Sequence, residues 1–418
     1  MELKRVVVTG LGAVTPLGND VPSYWDGLLN GVSGANNITN FDASEFKTQF
    51  ACEVKDFDIN TYMNRKEARK LDPYAHYAIV SSDEAIKDSK LDLTKIDLDR
   101  AGVVWASGIG GLSTFTDEVI SFANGNGIPR FNPFFIPKMI SDIAAGHISI
   151  RNGLRGPNFA TVSACASSAH SIADAYNLIR LGKADVFVCG GSEAAITITG
   201  IGGFNGMHAI STRNDDPKTA SRPFDKDRDG FILGEGGGAL IIEDLDHAIA
   251  RGAKIYAEIS GSGLTGDAHH MTAPHPEGMG AHKAMKIAIE EGGLKLGDID
   301  HINTHGTSTP AGDLAEPKAI CSLFGELAYD INISSTKSMT GHLLGAAGAI
   351  EAIATVLSVK NDLIPPTINH FTDDPGIDNK LNFTFGDKAV KRTVNAALTN
   401  TFGFGGHNAS LLITKYTE

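Results

Sequence analysis

One order of motifs occurs twice in this sequence, and that leaves few folds open. The first half runs VVVTGLG, VVWASGIGG, SACASSAHSIADAY, ADVFVCGGSE and GEGGGALIIE. The second runs AEISGSG, HINTHGTSTP, SMTGHLLGAAGAIEAI, NAALTNTFGFG and GHNASLLIT. Each series reads as a strand, a strand entering a loop, a tight turn into a small-residue helix, and two further strands. In this register Cys165 and His342 occupy matching places, each at the start of a helix. A chain of 418 residues is long for a single core, so two halves joined near Arg251-Gly252 are expected, 1–252 and 253–418.

Short β-branched runs (Val6–Thr9, Val103–Ala106, Val186–Cys189, Ala239–Ile242) alternate with helical stretches at Arg65–Lys87, Ser167–Leu181, Gly280–Glu291 and Gly345–Lys360. That alternation predicts an α/β fold with buried sheets under covering helices. The Gly- and Pro-bearing segment from Phe115 to Asn158 reads as loops around a site. VTGLGAVTPLG offers Gly10 and Gly12 to a dinucleotide loop, but Thr15 holds the third place and no acidic ribose contact follows.

A net charge of −13 argues against a general nucleic-acid binder. No apolar run reaches the length of a membrane span, and MELKRVVVTG enters a strand without a signal-peptide pattern, so a cytoplasmic location is expected. The four cysteines (Cys52, Cys165, Cys189, Cys321) include no C-x-x-C pair, which leaves each as a core residue or a nucleophile. The basic run Arg65-Lys66-Glu67-Ala68-Arg69-Lys70 is a solvated helix face or a docking patch for an acidic partner.

Cys165 stands in TVSACASSAH, after a turn and before a small-residue helix. A sulfur at a helix N-terminus is favoured as thiolate, and the neighbouring N–H groups suit an oxyanion. The second half supplies NTHGTSTP with His305, KSMTGHLLGAAGA with Lys337 and His342, and NTFGFGGHN around Phe402. Two histidines on glycine-flanked turns, in a half that mirrors the cysteine half, outweigh a structural role for Cys165.

These blocks resemble the β-ketoacyl-acyl-carrier-protein synthases, above all the elongating type II members, over nearly the whole chain. The resemblance implies a thiolase-like fold, two βαβαβαββ halves in a five-layered αβαβα arrangement, and a homodimer. It implies that Cys165 carries the acyl group while His305 and His342 bind malonyl-carrier protein and stabilise the enolate left by decarboxylation. The backbone N–H groups of Cys165 and Phe402 are expected to form a second oxyanion hole. Lys337 is expected to pair with Glu316, with Asp313 a weaker member of that network; the pair either holds architecture or tunes the histidines.

Thr272, Thr307 and Thr309 match positions that bind the phosphopantetheine arm, or are turn-forming threonines. Phe402 is the expected gate, with Gly403 and Gly405 allowing its loop to move. Ile109 and Phe204 line the acyl channel or belong to the core. Lys66, Arg69, Lys70, Arg130 and Arg213 fall at or near the family's docking positions for acyl carrier protein. No cofactor is implied and no metal takes part in the chemistry, although related enzymes can hold a structural cation near residues matching Asn303, Glu351 and Asn400. His407 departs from the threonine common in GFGGTN.

Other condensing enzymes fit less well. A degradative thiolase needs a second catalytic cysteine near the C-terminus, an initiating synthase a His–Asn pair, and a chain-length partner no nucleophile. A stand-alone ketosynthase of a polyketide-type pathway shares the same triad and is the closest alternative.

Overall fold

Gly10 and Gly12 show why the first strand sits where it does. The structure, a computed structural model describing residues 3–417, places both inside strand β1 (Val6–Val14), which is buried throughout. A Cβ on Gly10 would lie 2.3 Å from the Ala85 carbonyl oxygen, and one on Gly12 1.9 Å from that of Ser81. These glycines let helix α1 (Pro73–Ser89) lie directly on the strand, so they do not form a phosphate loop.

Among the described residues ten strands form one sheet: β1, β2 (Ala101–Ala106), β3 (Asn158–Thr161), β4 (Val186–Glu193), β5 (Gly236–Asp244), β6 (Ala257–Gly266), β7 (His301–Asn303), β8 (Asn332–Ser334), β9 (Ala396–Gly403) and β10 (His407–Thr414). Their order is β8-β7-β9-β10-β6-β1-β5-β4-β2-β3. Each run of five has the same internal order and the same directions. The first strand of the half pairs antiparallel with the fifth and the fifth antiparallel with the fourth; the fourth runs parallel to the second and the second to the third. The motif repeat is therefore a repeat of topology. The halves meet edge to edge where Val6, Val7 and Val8 oppose Ile259, Glu258 and Ala257.

Helices α2 (Ile143–Asn152), α3 (Ser167–Arg180), α4 (Met279–Glu291), α5 (Gly312–Phe324) and α6 (Ala347–Asn361) complete the layers with α1. α1 and α2 cover the outer face of the first-half sheet, and α4 and α5 that of the second. α3 and α6 pack on each other between the sheets, around a core that includes Ile172, Tyr176, Leu240, Ile350, Ile353 and Leu411. This is the expected five-layered αβαβα arrangement. Strands covered on both faces lose in/out alternation, which is why they read as continuous apolar runs.

Two local expectations fail. The stretch Arg65–Lys87 is not one helix: a short helix ends at Ala68, and α1 begins at Pro73 with Asp72 as its cap. Proline cannot donate into a preceding turn and disfavours helix in the residue before it. The segment after Phe115 is largely helical, as Leu112–Asn124, Phe135–Met139 and Ile143–Asn152, so glycine and proline here delimit helices.

Candidate active site

Cys165 ends a strained turn. Ala164 adopts φ +50°, and the Ser167 hydroxyl closes the turn by donating to the Ala164 carbonyl (2.6 Å) while accepting the Ser163 N–H (2.8 Å). α3 starts two residues beyond the sulfur. Gly403 presses on the same turn, where an added Cβ would lie 3.1 Å from the Cys165 nitrogen. Burial pushes the Cys165 thiol up to about 12, with Lys337 and the amide N–H groups of Phe404 and Cys165 pulling it down. Desolvation thus outweighs the helix terminus here and favours the thiol over the thiolate. The N–H facing the sulfur from the glycine-rich turn is that of Phe404.

His342 Nε2 lies 3.0 Å from Cys165 Sγ. Its backbone is fixed by hydrogen bonds to the Ile232 carbonyl (2.7 Å) and from the Gly234 N–H (2.9 Å). His305 follows β7, and its ring meets that of His342 edge-on at 5.3 Å between centroids. The sulfur and one ring nitrogen from each histidine all lie within 4.8 Å of one another. Burial first, then the Lys337 ammonium, holds both imidazoles far below their usual range, so both are neutral.

The expected Lys337–Glu316 pair does not form. Lys337 Nζ bonds Glu351 instead, and both side chains are 1% exposed. Glu316 accepts the N–H groups of His305 and Gly306 (3.0 Å each) and the Asn400 amide (3.1 Å). It therefore positions the His305 turn. Burial pushes Glu316 and Glu351 up to about 7, against the pull of the Lys337 charge. Asp313 likewise holds backbone, accepting from Thr307, Ser308 and Phe224.

A cavity of about 510 Å³ opens on the three reactive groups, and Ile109, Phe204, Thr272, Thr307, Thr309 and Gly403 all line it. Phe402 stands beside His305, with ring centroids 5.8 Å apart. The structure does not bring Lys66, Arg69, Lys70, Arg130 or Arg213 into this cavity: the first four are exposed and Arg213 is half-buried, donating to the Asp227 carbonyl at 2.8 Å. His407 is exposed at the start of β10, edge-on to His170 at 6.4 Å.

The sequence reading missed how the Phe402 turn is held. Asp267 donates its N–H to the Gly406 carbonyl (2.9 Å) and accepts the Asn408 amide (2.8 Å), and the Gly405 N–H reaches the Met271 carbonyl (2.7 Å). Nothing in the spacing of GDAHHMT signals this, since the contacts are set by strand pairing. Asn303 Oδ1, Glu351 Oε2 and the hydroxyl of Thr399, which opposes Asn303 in the sheet, are buried oxygens without partners. Such a set fits a cation, whereas Asn400 Oδ1 is occupied by the Ser410 hydroxyl (2.8 Å).

Residues 3–248 match the model of the β-ketoacyl synthase N-terminal domain, and residues 256–371 that of its C-terminal domain. The chain is 50% identical over 416 residues to 3-oxoacyl-(acyl-carrier-protein) synthase 2 of Synechocystis, covering 100% of this chain and 99% of that one. It is 48% identical over 413 residues to the protein of that name from Staphylococcus aureus, covering 99% of each. A crystallised β-ketoacyl synthase from Burkholderia phymatum superposes with a TM-score of 0.91 at 33% identity, covering 99% of this chain and 100% of the other. A structure of a type II PKS acyl-carrier protein in complex with its ketosynthase bound to the hexaketide gives 0.92 at 31% identity, with the same coverage. With both domain models matched in order and relatives spanning its whole length, the chain belongs to the β-ketoacyl synthase family.

Proposed function

We propose that this protein elongates fatty-acyl chains carried on acyl carrier protein. The carrying observation is the convergence of one buried thiol and two neutral histidines at the floor of an apolar cavity. The names of the relatives at 48–50% identity support fatty-acid elongation over the polyketide-type reading, whose solved neighbours stand at 31%.

Cys165 sulfur attacks the acyl thioester and forms a new thioester. Its proton leaves with the departing phosphopantetheine thiol, and backbone N–H groups of Cys165 and the 402–404 turn stabilise the oxyanion. Malonyl-carrier protein then enters past Phe402, its arm running by Thr272, Thr307 and Thr309. The Nε2–H groups of His305 and His342 donate to its thioester oxygen. Neutral imidazoles suit this step, because two imidazolium ions within 4.8 Å would repel each other. Carbon dioxide leaves, and the enolate carbon attacks the acyl-Cys165 carbonyl. The tetrahedral adduct expels the Cys165 thiolate, which takes a proton from water, and 3-oxoacyl-carrier protein departs. Lys337, held in place by Glu351, helps keep both histidines unprotonated.

No organic cofactor enters this scheme, because the thioester already supports the enolate. A cation held by Asn303 and Glu351 would offset buried negative charge and do no bond chemistry. The exposed residues Lys66, Arg69, Lys70 and Arg130, with Arg213, form the proposed docking face for the acidic carrier.

The homodimer reading is supported by the edge of β3, which among the described residues pairs only with β2. Phe159 and Val162 are exposed at that edge, and Phe115, Phe122, Phe131 and Ile136 are also exposed. Such an apolar edge calls for a second copy. The proposed division into 1–252 and 253–418 puts one sheet repeat in each half. Among the described residues no helix is long and apolar enough to cross a membrane. The four free cysteines fit a reducing cytoplasm. The test is to incubate the enzyme with an acyl- and a malonyl-carrier protein and identify products by mass; formation of the 3-oxoacyl product two carbons longer is expected, and its absence rejects the reading.

A further inference from the structure

Glu193, at the end of β4, is fully buried and has no cationic partner among the described residues. Oε1 accepts the Ser107 hydroxyl (2.9 Å) and the Ile109 N–H (3.2 Å). Oε2 accepts the N–H groups of Gly108 (2.8 Å) and Gly345 (3.0 Å). These four contacts, one hydroxyl and three backbone N–H groups, oppose the upward push that burial exerts on the Glu193 carboxyl.

The donors come from two turns that belong to opposite halves. Ser107–Ile109 follows β2 in the first half, and Leu344–Gly345 follows His342 in the second. The turns are in contact: a Cβ on Gly345 would lie 2.2 Å from the Gly108 nitrogen and 2.7 Å from Glu193 Oε2. Leu344 is held at φ +48°, a left-handed conformation unfavourable for a leucine, and needs a firm anchor on its far side. Ile109 and Leu344, projecting from these turns, both line the cavity over Cys165.

We propose that Glu193 is a positioning residue for acyl transfer, pinning the two turns together so that Ile109 and Leu344 form a fixed wall against the acyl chain. The inference rests on the elongation reading and adds the device that shapes the chain-binding side.

The test is the rate of acyl loading onto Cys165 across carrier-bound acyl lengths, normalised to titratable Cys165 thiol. Glu193→Gln keeps the size but puts an NH₂ against N–H donors. It is expected to lower kcat/KM for long chains about tenfold while leaving the shortest chain within about threefold. Ser107→Ala removes one donor, keeps the carboxyl, and should shift the same profile in the same direction by a smaller factor; it decides the matter if Glu193→Gln does not fold. An equal loss at every length, or no loss in either variant, overturns the assignment, because a merely structural defect reduces the active fraction without changing length preference. Wild-type enzyme that loads no acyl group would overturn the elongation reading and this inference together.

Discussion

In the proposed mechanism His305 and His342 act through being deprived of water. Their imidazoles are held neutral by burial and by Lys337, which leaves N–H groups to stabilise an enolate without the repulsion of two cations. His305→Ala and His342→Ala should each slow carbon dioxide release from malonyl-carrier protein by about 10²–10³-fold, the usual cost of losing one oxyanion donor. Release measured with carboxyl-labelled malonyl substrate at the wild-type rate in both variants contradicts the assignment. That Cys165, His305 and His342 come together was legible because each stands on a turn with small residues or glycine beside it, although the turns themselves are largely buried. The partner of Lys337 was not legible: Glu316 and Glu351 both lie near it in sequence, and only the packing of α6 against the sheet chooses Glu351. Glu193 left no signal either, since a buried glutamate at a strand end looks like any other polar residue at a loop.

The elements carry the site by ending where they do. α3 begins two residues past Cys165 and α6 follows His342 after one short turn, so the internal duplication brings Cys165 and His342 face to face across the central layer. The duplication was readable from motif order; the helices within 112–152 were not, because glycine and proline punctuate short helices and loops alike. The short helix Arg65–Ala68 presents Lys66, with Arg69 and Lys70 just beyond, to solvent. As an electrostatic face it should act through encounter. Lys66→Glu with Arg69→Glu should raise the KM for carrier protein several-fold, about tenfold at low salt, with kcat nearly unchanged and the difference shrinking as salt is added. An unchanged KM at low salt removes this face from the docking surface.

At the scale of the whole molecule, buried ionisable groups tie stability to pH. Glu235 is pushed up to about 8 by burial, with the Glu53 charge adding to it and the Val54 amide opposing. Its ordinary value is 4.5, so between 4.5 and about 8 the folded protein keeps a proton that the unfolded chain releases. This contribution is full below 4.5 and is lost as pH rises to about 8, at up to about 1.4 kcal/mol per pH unit. Relative to wild type, Glu235→Gln should therefore gain in melting temperature between about pH 5 and about pH 9; a difference independent of pH contradicts the account. The central claim concerns Cys165, which is to hold the growing chain while the histidines make the carbanion. It is tested most directly by mass analysis of enzyme mixed with acyl-carrier protein alone. The account predicts one acyl group per chain, located on Cys165, absent from Cys165→Ala, and discharged as the 3-oxoacyl product when malonyl-carrier protein is added. An acyl group on another residue, or elongation by Cys165→Ala, contradicts it.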